Sequence, residues 1–208
     1  MSLSQAIMVV RHPQTVMNAG GRYIGRSDSP LTETGREQLR WLREVAAFWQ
    51  PELTLSSPLG RAVDTARAIS GTVEVRVLED LQEIDFGQAE GHTYDELVEM
   101  GIEPDYASGG SIAPGGERGD VFVERVERAA RAVEESACRV LVMTHGGVMR
   151  RLLVRWLNLP AEAAWSFDIP NAAVAMLRVC RGVGVLEQLV SPSLEVRRSP
   201  LRCRLWNR

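Results

Sequence analysis

The chain has 208 residues, is 45% hydrophobic and carries a formal net charge of −3. This length and composition predict one globular domain with a sizeable core, and the small negative charge gives no reason to expect nucleic acid or a membrane as a partner. All 24 basic residues are arginine, which excludes Schiff-base and P-loop lysines, so a bound phosphate would need arginine, backbone amides or neutral polar groups.

The N-terminal half of the chain predicts strands that alternate with helices. A short apolar run from Gln5 to Val10 predicts the first strand, and Arg22 to Pro30, with Gly20, Gly21 and Gly25, predicts a loop. A helix follows, with Thr32 as its N-cap and Pro51 at its end, and its apolar residues recur at helical spacing. The next predicted elements are a brief strand from Leu53 to Leu55, a helix begun by Ser57-Pro58 with proline in the first helical position, and a strand from Val73 to Val77.

The C-terminal half continues the same alternation after a long insertion. Gly, Pro and Ser dominate from Gly101 to Gly119, and we expect a lid at about residues 94–119. The elements predicted after it are a helix from Val121 to Ser136, a buried strand from Arg139 to Met143, a helix from Gly147 to Leu157, and strands from Ala172 to Val179 and from Val183 to Val190, joined as a hairpin around Arg181-Gly182. The pattern predicts an α/β fold of three layers, α/β/α, in which helices cover both faces of a mainly parallel sheet.

We expect residues 1–190 to form a single domain and residues 191–208 to form a basic tail. A solvated tail and docking of its Trp206 on the domain or on a second subunit, as in a homodimer, are both open interpretations. The first residues lack the basic and apolar regions of a signal peptide, no apolar run could span a bilayer, and the three cysteines are too scattered for a disulfide framework. These features predict a cytoplasmic protein.

Two histidines beside arginine or a glycine-rich turn lie at opposite ends of the sequence. Arg11-His12 follows the first predicted strand, and His145-Gly146 follows the strand that ends near Met143. Because polar side chains at the carboxyl ends of parallel strands share one edge of a sheet, we expect the two histidines to meet there. A histidine that can be neutral near pH 7, with a guanidinium nearby, suits attack on phosphorus.

Two further clusters follow predicted strands. Arg61 lies four residues after Ser57, and Glu83 and Asp85 supply carboxylates at the third strand's end. His12, His145 and Glu83 could instead form a metal site with two histidines and one carboxylate, although arginines at the same edge would repel a divalent cation. Arg61 could also be a surface residue paired with Asp64 or Glu52.

These clusters belong to a longer set of motifs that run in order from Val9 to about Val154. The set comprises Arg11-His12, Asn18, Gly25-x-x-Asp28-x-Pro30-Leu31-Thr32-x-x-Gly35, Ser57-x-x-x-Arg61-x-x-x-Thr65-Ala66, Glu83-x-x-x-Gly87-x-x-Glu90-Gly91 and Thr144-His145-Gly146-Gly147. It resembles the histidine phosphatase superfamily, in the branch of cofactor-dependent phosphoglycerate mutase and small phosphatases such as alpha-ribazole phosphatase. The resemblance implies the phosphoglycerate mutase-like version of the α/β fold.

The resemblance also implies a role for each residue. His12 would be the nucleophile that forms a phosphohistidine, and Glu83 would protonate the leaving alkoxide and then take a proton from water. The groups implied to hold the phosphoryl group are Arg11, Arg61, His145, Asn18 and the Gly146 amide. The implied activity is hydrolysis of a phosphate monoester in a small molecule, with no metal and no cofactor.

Two other functions remain open at this point. A phosphoglycerate-type mutase is the first, and the short lid favours hydrolysis over it because a mutase must keep water from its bisphosphorylated intermediate. A non-catalytic module that binds a phosphorylated ligand is the second, and a pure binder would need neither His12 nor Glu83.

The chain departs from the family pattern at three positions. Pro13 stands where the family usually has glycine and cannot donate a backbone N–H. Ile24 replaces a polar residue of many relatives, and Arg118 replaces the serine of a Pro-Gly-Glu-Ser motif. None belongs to the implied catalytic set, and all three bear on the choice of substrate.

Overall fold

A computed structural model describes residues 4–105 and 109–192. In this part of the chain six strands form one sheet in the order β3-β2-β4-β1-β5-β6. The strands are β1 (Gln5–Arg11), β2 (Leu53–Ser56), β3 (Val75–Val77), β4 (Arg139–Thr144), β5 (Val174–Cys180) and β6 (Val183–Val190). Strands β3, β2, β4 and β1 pair with one another in parallel, whereas β5 runs antiparallel to both of its neighbours, β1 and β6. The sheet is therefore mixed and mainly parallel, as predicted.

The helices are α1 (Val16–Ala19), α2 (Glu33–Trp49), α3 (Gly60–Ser70), α4 (Tyr94–Glu99), α5 (Gly119–Glu134) and α6 (Gly146–Trp156). The longer helices α2, α3, α5 and α6 cover the two faces of the sheet. Successive side chains of β1 alternate between faces, so Met8 and Val10 pack against α2 and α3, while Ile7 and Val9 pack in the core that α5 and α6 cover. This arrangement confirms the three-layer α/β/α architecture.

Strand ends and one turn agree closely with the sequence prediction. The β5–β6 hairpin turns at Arg181 and Gly182, whose φ angles are 51° and 75°. Positive φ at both central residues is the geometry of a type I′ turn, which matches the twist of the flanking strands.

Helix α3 begins two residues later than predicted. It starts at Gly60 with Leu59 as N-cap, so Pro58 lies before the helix and not in its first position. Leu59 offers no capping side chain, and Asp28 from the preceding loop takes that part by accepting hydrogen bonds from the backbone N–H groups of Gly60 (2.7 Å) and Arg61 (3.2 Å). A cap supplied from 32 residues away cannot be seen as a local pattern.

Two short helices, α1 and α4, were not predicted. Each begins with a capping box, formed by Thr15 with Asn18 and by Thr93 with Glu96. The threonine and the side chain three residues later were a usable signal in the sequence. Because α4 occupies Tyr94–Glu99, the first part of the predicted lid is helical and Leu97 packs with Ala89 and Ala113.

The tail prediction for residues 191–208 falls almost wholly outside the described residues, which end at 192, and Trp206 is among those outside. The single domain of residues 1–190 stays a prediction. None of the helices in the described ranges is long and apolar enough to cross a membrane.

Candidate active site

The candidate site lies where β1 and β4 end side by side. His12 directly follows β1, His145 directly follows β4, and the backbone N–H of His12 donates to the Thr144 carbonyl at 3.0 Å. The two imidazole rings are 5.1 Å apart between centroids and meet edge to face at 61°. The sheet therefore brings together two histidines that are 133 positions apart in the chain, as the sequence predicted.

His12 is held as one neutral tautomer. Its Nδ1 lies 2.8 Å from the Pro13 carbonyl, which can only accept, so Nδ1 carries the proton. Its Nε2 lies 3.2 Å from Nε of Arg61, which can only donate, so Nε2 presents its lone pair. Burial, and next the guanidinium groups of Arg11 and Arg61, lower the pKa of His12 well below its ordinary value. The ring is thus uncharged at neutral pH, with a proton on Nδ1 and none on Nε2.

Arg61 lies at the base of the site with a side chain that is 1% exposed. Besides His12, it donates to the carbonyls of Ser27 (2.6 Å) and Gly25 (2.7 Å) and to Asp28 Oδ1 (3.0 Å). The loop of residues 25–28 therefore wraps around the guanidinium and fixes its direction. Its acidic partner is Asp28, and not Asp64 or Glu52, so the interpretation of Arg61 as a surface residue was wrong.

Arg11 supplies a second buried positive charge. Its Nη1 donates to the Ile169 carbonyl at 2.6 Å, while its buried Nε has no hydrogen-bond partner among the described residues. Burial, and next the charge of Arg150, lower the pKa of Arg11 to about 10, which leaves it charged at neutral pH. An arginine with an unused buried donor beside two imidazoles suits an incoming anion.

His145 begins helix α6 as its N-cap and is 1% exposed. Its Nε2 lies 2.7 Å from the Ser57 hydroxyl, and its buried Nδ1 has no partner in the described ranges. Burial, followed by Arg61 and His12, lowers the pKa of His145 well below its ordinary value. A dianion in the site would favour the charged imidazolium, so this histidine can gain a proton when substrate binds.

Glu83 is buried against the amino end of α6. Its Oε2 accepts from the backbone N–H of Gly147 at 2.9 Å and its Oε1 from that of Ile84 at 3.0 Å. A larger residue at position 147 would displace this carboxylate, since an added Cβ would lie 2.5 Å from Glu83 Oε1. The carboxylate is thus fixed at the same sheet edge as both histidines.

Asn18 and Gly146 complete the predicted set. The Asn18 Oδ1 is engaged by Thr15 and by Nδ2 of Asn171 (3.2 Å), so its own amide nitrogen faces away from these partners and is available to a ligand. The Gly146 backbone N–H is the first of helix α6, whose N-cap His145 makes no side-chain cap hydrogen bond, and it lies at the positive end of the helix. Both groups can donate to a phosphoryl oxygen.

Three residues at the site were missed by sequence reasoning. Asn171 donates to the carbonyls of His12 (3.3 Å) and Pro13 (3.4 Å), and Ser57 bonds His145. Arg150, one turn into α6, donates to the Phe167 carbonyl at 3.0 Å, and burial lowers its pKa. The Asn171 contact joins residues 159 positions apart and had no sequence signal, whereas Ser57 was already part of a quoted motif.

Nearby polar residues have structural partners. Asp85 accepts from the backbone N–H of Gly87 at 2.8 Å, and Glu90 accepts from those of Gly25 (2.9 Å) and Ser27 (2.8 Å). His92 is about two-fifths exposed and lies 3.5 Å from Glu96. In the part of the chain that is described, no group of three or more His, Cys, Asp or Glu is arranged to hold a metal ion.

The three departures from the family pattern have clear places in the structure. Pro13 orients His12 through its carbonyl and needs no N–H to do so. Ile24 is 8% exposed and packs in the interior beside Gly25. Arg118 is exposed and pairs with Asp120 at 2.7 Å, at the start of α5.

Comparison with known proteins identifies relatives along nearly the whole chain. A family model described as the histidine phosphatase superfamily (branch 1) matches residues 7–191. The adenosylcobalamin/alpha-ribazole phosphatase of Salmonella typhimurium is 30% identical over 89% of this chain and 96% of its own length. An acid phosphatase of Mycobacterium tuberculosis is 31% identical over 88% of this chain and 91% of its own. The crystal structure of the alpha-ribazole phosphatase of Shigella flexneri superposes with a TM-score of 0.82 at 28% identity, covering 93% of this chain and 100% of that one.

Proposed function

Because this chain belongs to the histidine phosphatase superfamily and is a phosphoric monoester hydrolase, we propose that it works through a phosphohistidine on His12, without a metal. The observation that carries the proposal is the tautomer of His12, whose Nδ1 is tied to the Pro13 carbonyl so that Nε2 offers its lone pair. A buried imidazole fixed in this way needs no separate base to deprotonate it.

In the first step, Nε2 of His12 attacks phosphorus and the bond from phosphorus to the ester oxygen breaks. The entering phosphoryl group must displace Arg61 from Nε2, and its oxygens then accept hydrogen bonds from Arg61 and from the unused donor of Arg11. The leaving oxygen takes a proton from Glu83. The negative charge of the bound phosphoryl group favours the protonated form of that carboxyl before the bond breaks.

In the second step, water attacks the phosphohistidine. The Glu83 carboxylate takes a proton from the water, the bond from phosphorus to Nε2 breaks, and inorganic phosphate leaves. His145, the Asn18 amide and the Gly146 N–H stabilise charge on the equatorial oxygens in both steps. Positioning and positive charge supply most of the catalysis in phosphoryl transfer.

The substrate we propose is a small phosphorylated molecule. One relative, the adenosylcobalamin/alpha-ribazole phosphatase, is named for compounds of this kind. A cytoplasmic location, a single domain over residues 1–190 and a homodimer remain predictions. So does the expectation that neither nucleic acid nor a membrane is a partner.

Phosphate release from p-nitrophenyl phosphate tests this function. Wild type and His12→Ala would be assayed between pH 5 and 8 in excess EDTA. We expect turnover in EDTA that is lost in His12→Ala, together with a phosphorylated protein in acid-quenched wild type only. Turnover that survives in His12→Ala would contradict the proposal, and turnover abolished by EDTA would favour the metal site.

Assays with phosphoglycerate and with inorganic phosphate separate the two other functions. A phosphoglycerate-type mutase would transfer the phosphoryl group between positions of phosphoglycerate with little release of phosphate. A binding module would retain phosphate tightly without turnover.

A further inference from the structure

Arg125 of helix α5 lies behind the acid/base residue and uses all of its hydrogen-bond donors. It is 7% exposed. Its Nε and Nη2 donate to the two carboxylate oxygens of Glu117 at 2.9 Å and 2.7 Å. Its Nη1 donates to the carbonyls of Asp80 and Gln82, both at 2.8 Å, and its Nη2 also reaches the Glu83 carbonyl at 3.4 Å. Every N–H of the guanidinium therefore has an acceptor.

The three carbonyls belong to the segment that carries Glu83. The Glu83 backbone is held from the α5 side by Arg125, while its carboxylate is held from the α6 side by the N–H of Gly147. The two helices thus fix opposite ends of one residue. A guanidinium spans several carbonyls in one plane, which a lysine ammonium on its flexible stem cannot do.

Glu117 extends this contact to the end of the predicted lid. Its backbone N–H donates to the Asp85 carbonyl at 2.9 Å, and its Oε2 accepts from the Asp85 N–H at 3.3 Å. Gly87, with φ of 55°, packs so tightly on this turn that an added Cβ would collide with Gly116 N and Pro114 O. The acid/base loop and the turn of residues 113–117 therefore form one unit around the Arg125–Glu117 pair.

We propose that Arg125, fixed by Glu117, is the positioning residue for proton transfer by Glu83. The inference rests on the proposed function, because it assigns a purpose to this buried pair only if Glu83 is the acid. Arg125 does not touch the phosphoryl group in this scheme. It sets where the carboxyl stands relative to the leaving oxygen.

Two substrates of nearly the same shape test the proposal. p-Nitrophenolate is a stable anion and leaves without a proton, whereas the phenolate of phenyl phosphate leaves more slowly and gains more from protonation. The variants would be Arg125→Lys and Glu117→Gln, with Glu83→Gln as the reference. Arg128→Lys is the matched control, since Arg128 lies one turn later on α5, is half-exposed and pairs with the Asp80 side chain. The value compared is kcat/KM, which reports the transfer to His12.

We expect Glu83→Gln to lower kcat/KM for phenyl phosphate by about 10²–10⁴-fold and that for p-nitrophenyl phosphate much less. Arg125→Lys and Glu117→Gln should show the same asymmetry, with a loss of about 10–100-fold on phenyl phosphate. Arg128→Lys should match wild type on both. Both substrates are measured on one preparation, so the ratio of the two values does not depend on the fraction of folded enzyme.

If Arg125→Lys and Glu117→Gln lowered kcat/KM equally for the two substrates, or did not lower it, the proposal would be overturned. The Arg125–Glu117 pair would then have a structural role only. If Glu83→Gln itself showed no asymmetry, the acid role of Glu83 and this inference would fail together, while the dependence on His12 would still decide the phosphohistidine.

Discussion

The direction of a side chain at this site is set by the groups that it binds. Arg61 contributes to the candidate site only because Asp28 and two loop carbonyls aim its guanidinium at His12. Asp28 also accepts from the first N–H groups of α3, so one exposed carboxylate serves both the helix and the arginine. A loop residue outside the predicted catalytic set therefore sets the direction of Arg61, which that set includes.

Asp28→Ala tests whether Asp28 both caps α3 and orients Arg61. Loss of the cap should lower the free energy of unfolding by about 1 kcal/mol, and the misplaced Arg61 should lower kcat/KM for p-nitrophenyl phosphate by about tenfold or more. Asp64→Ala is the matched control, because Asp64 is exposed on the same helix and is not bonded to Arg61. Urea unfolding and kinetics would be measured on both. Equal behaviour of the two variants would show that Asp28 is dispensable.

The Ser57 hydroxyl anchors the His145 ring. This hydroxyl is the one hydrogen-bond partner of the His145 ring among the described residues. Ser57→Ala removes that anchor, and we expect a fall in kcat/KM of about tenfold. We also expect the free energy of unfolding to fall by about 1–3 kcal/mol, because the buried His145 Nε2 and the Leu59 N–H both lose their partner. Steady-state kinetics with urea unfolding would check this result. A loss of stability without a loss of activity would assign Ser57 to the fold alone.

At the scale of elements, the site depends on loops that pack against each other without intervening side chains. The turn at Gly87 and the turn of residues 113–117 touch backbone to backbone. Backbone contact of this kind requires glycine, because a Cβ at that point would separate the two loops. The loop that carries Glu83 is thereby tied to the predicted lid.

A comparison of Gly87→Ala with Gly115→Ala should separate the cost of the steric collision from the cost of backbone strain. Gly115 has a positive φ of 76° with nothing within 4 Å of an added Cβ, so Gly115→Ala measures the strain alone, about 1 kcal/mol. Gly87→Ala adds the collision with Gly116 and should cost clearly more, with reduced activity through the displaced Glu83 loop. Thermal unfolding and kinetics of both variants give the comparison. Similar losses in the two would mean that the turns can move apart freely.

At the scale of the whole molecule, burying two neutral histidines makes folding depend on pH. Burial holds the pKa of both His12 and His145 well below the ordinary value. In the unfolded chain both titrate near pH 6.5, so below that pH the unfolded state binds more protons than the native state. The contribution of each neutral histidine is complete above pH 6.5 and is lost as the pH falls below it.

We therefore expect the free energy of unfolding to decrease by about 1 kcal/mol for each of the two histidines between pH 7.5 and 5.5. His12→Gln and His145→Gln should each remove part of that slope, and His92→Gln, at a partly exposed position, should not. Urea unfolding at three pH values would measure how the free energy of unfolding of each variant changes with pH. Slopes that are the same in wild type and in His145→Gln would contradict the neutral, buried state.

Saturating phosphate should raise the stability of wild type more than that of His12→Gln.

The sequence by itself determined the α/β architecture and the strands that end at the candidate site, and it predicted His12, His145, Arg11, Arg61 and Glu83 as the residues that meet there. Strand alternation, caps and an ordered series of motifs are local signals, and the carboxyl ends of parallel strands must share one edge. Only the tertiary structure decided the contacts between distant segments: Asp28 as the cap of α3, Asn171 under the His12 loop, and Arg125 behind Glu83. Each of these joins residues more than 30 positions apart, and such pairs are selected by packing in three dimensions, which leaves no period or spacing along the chain.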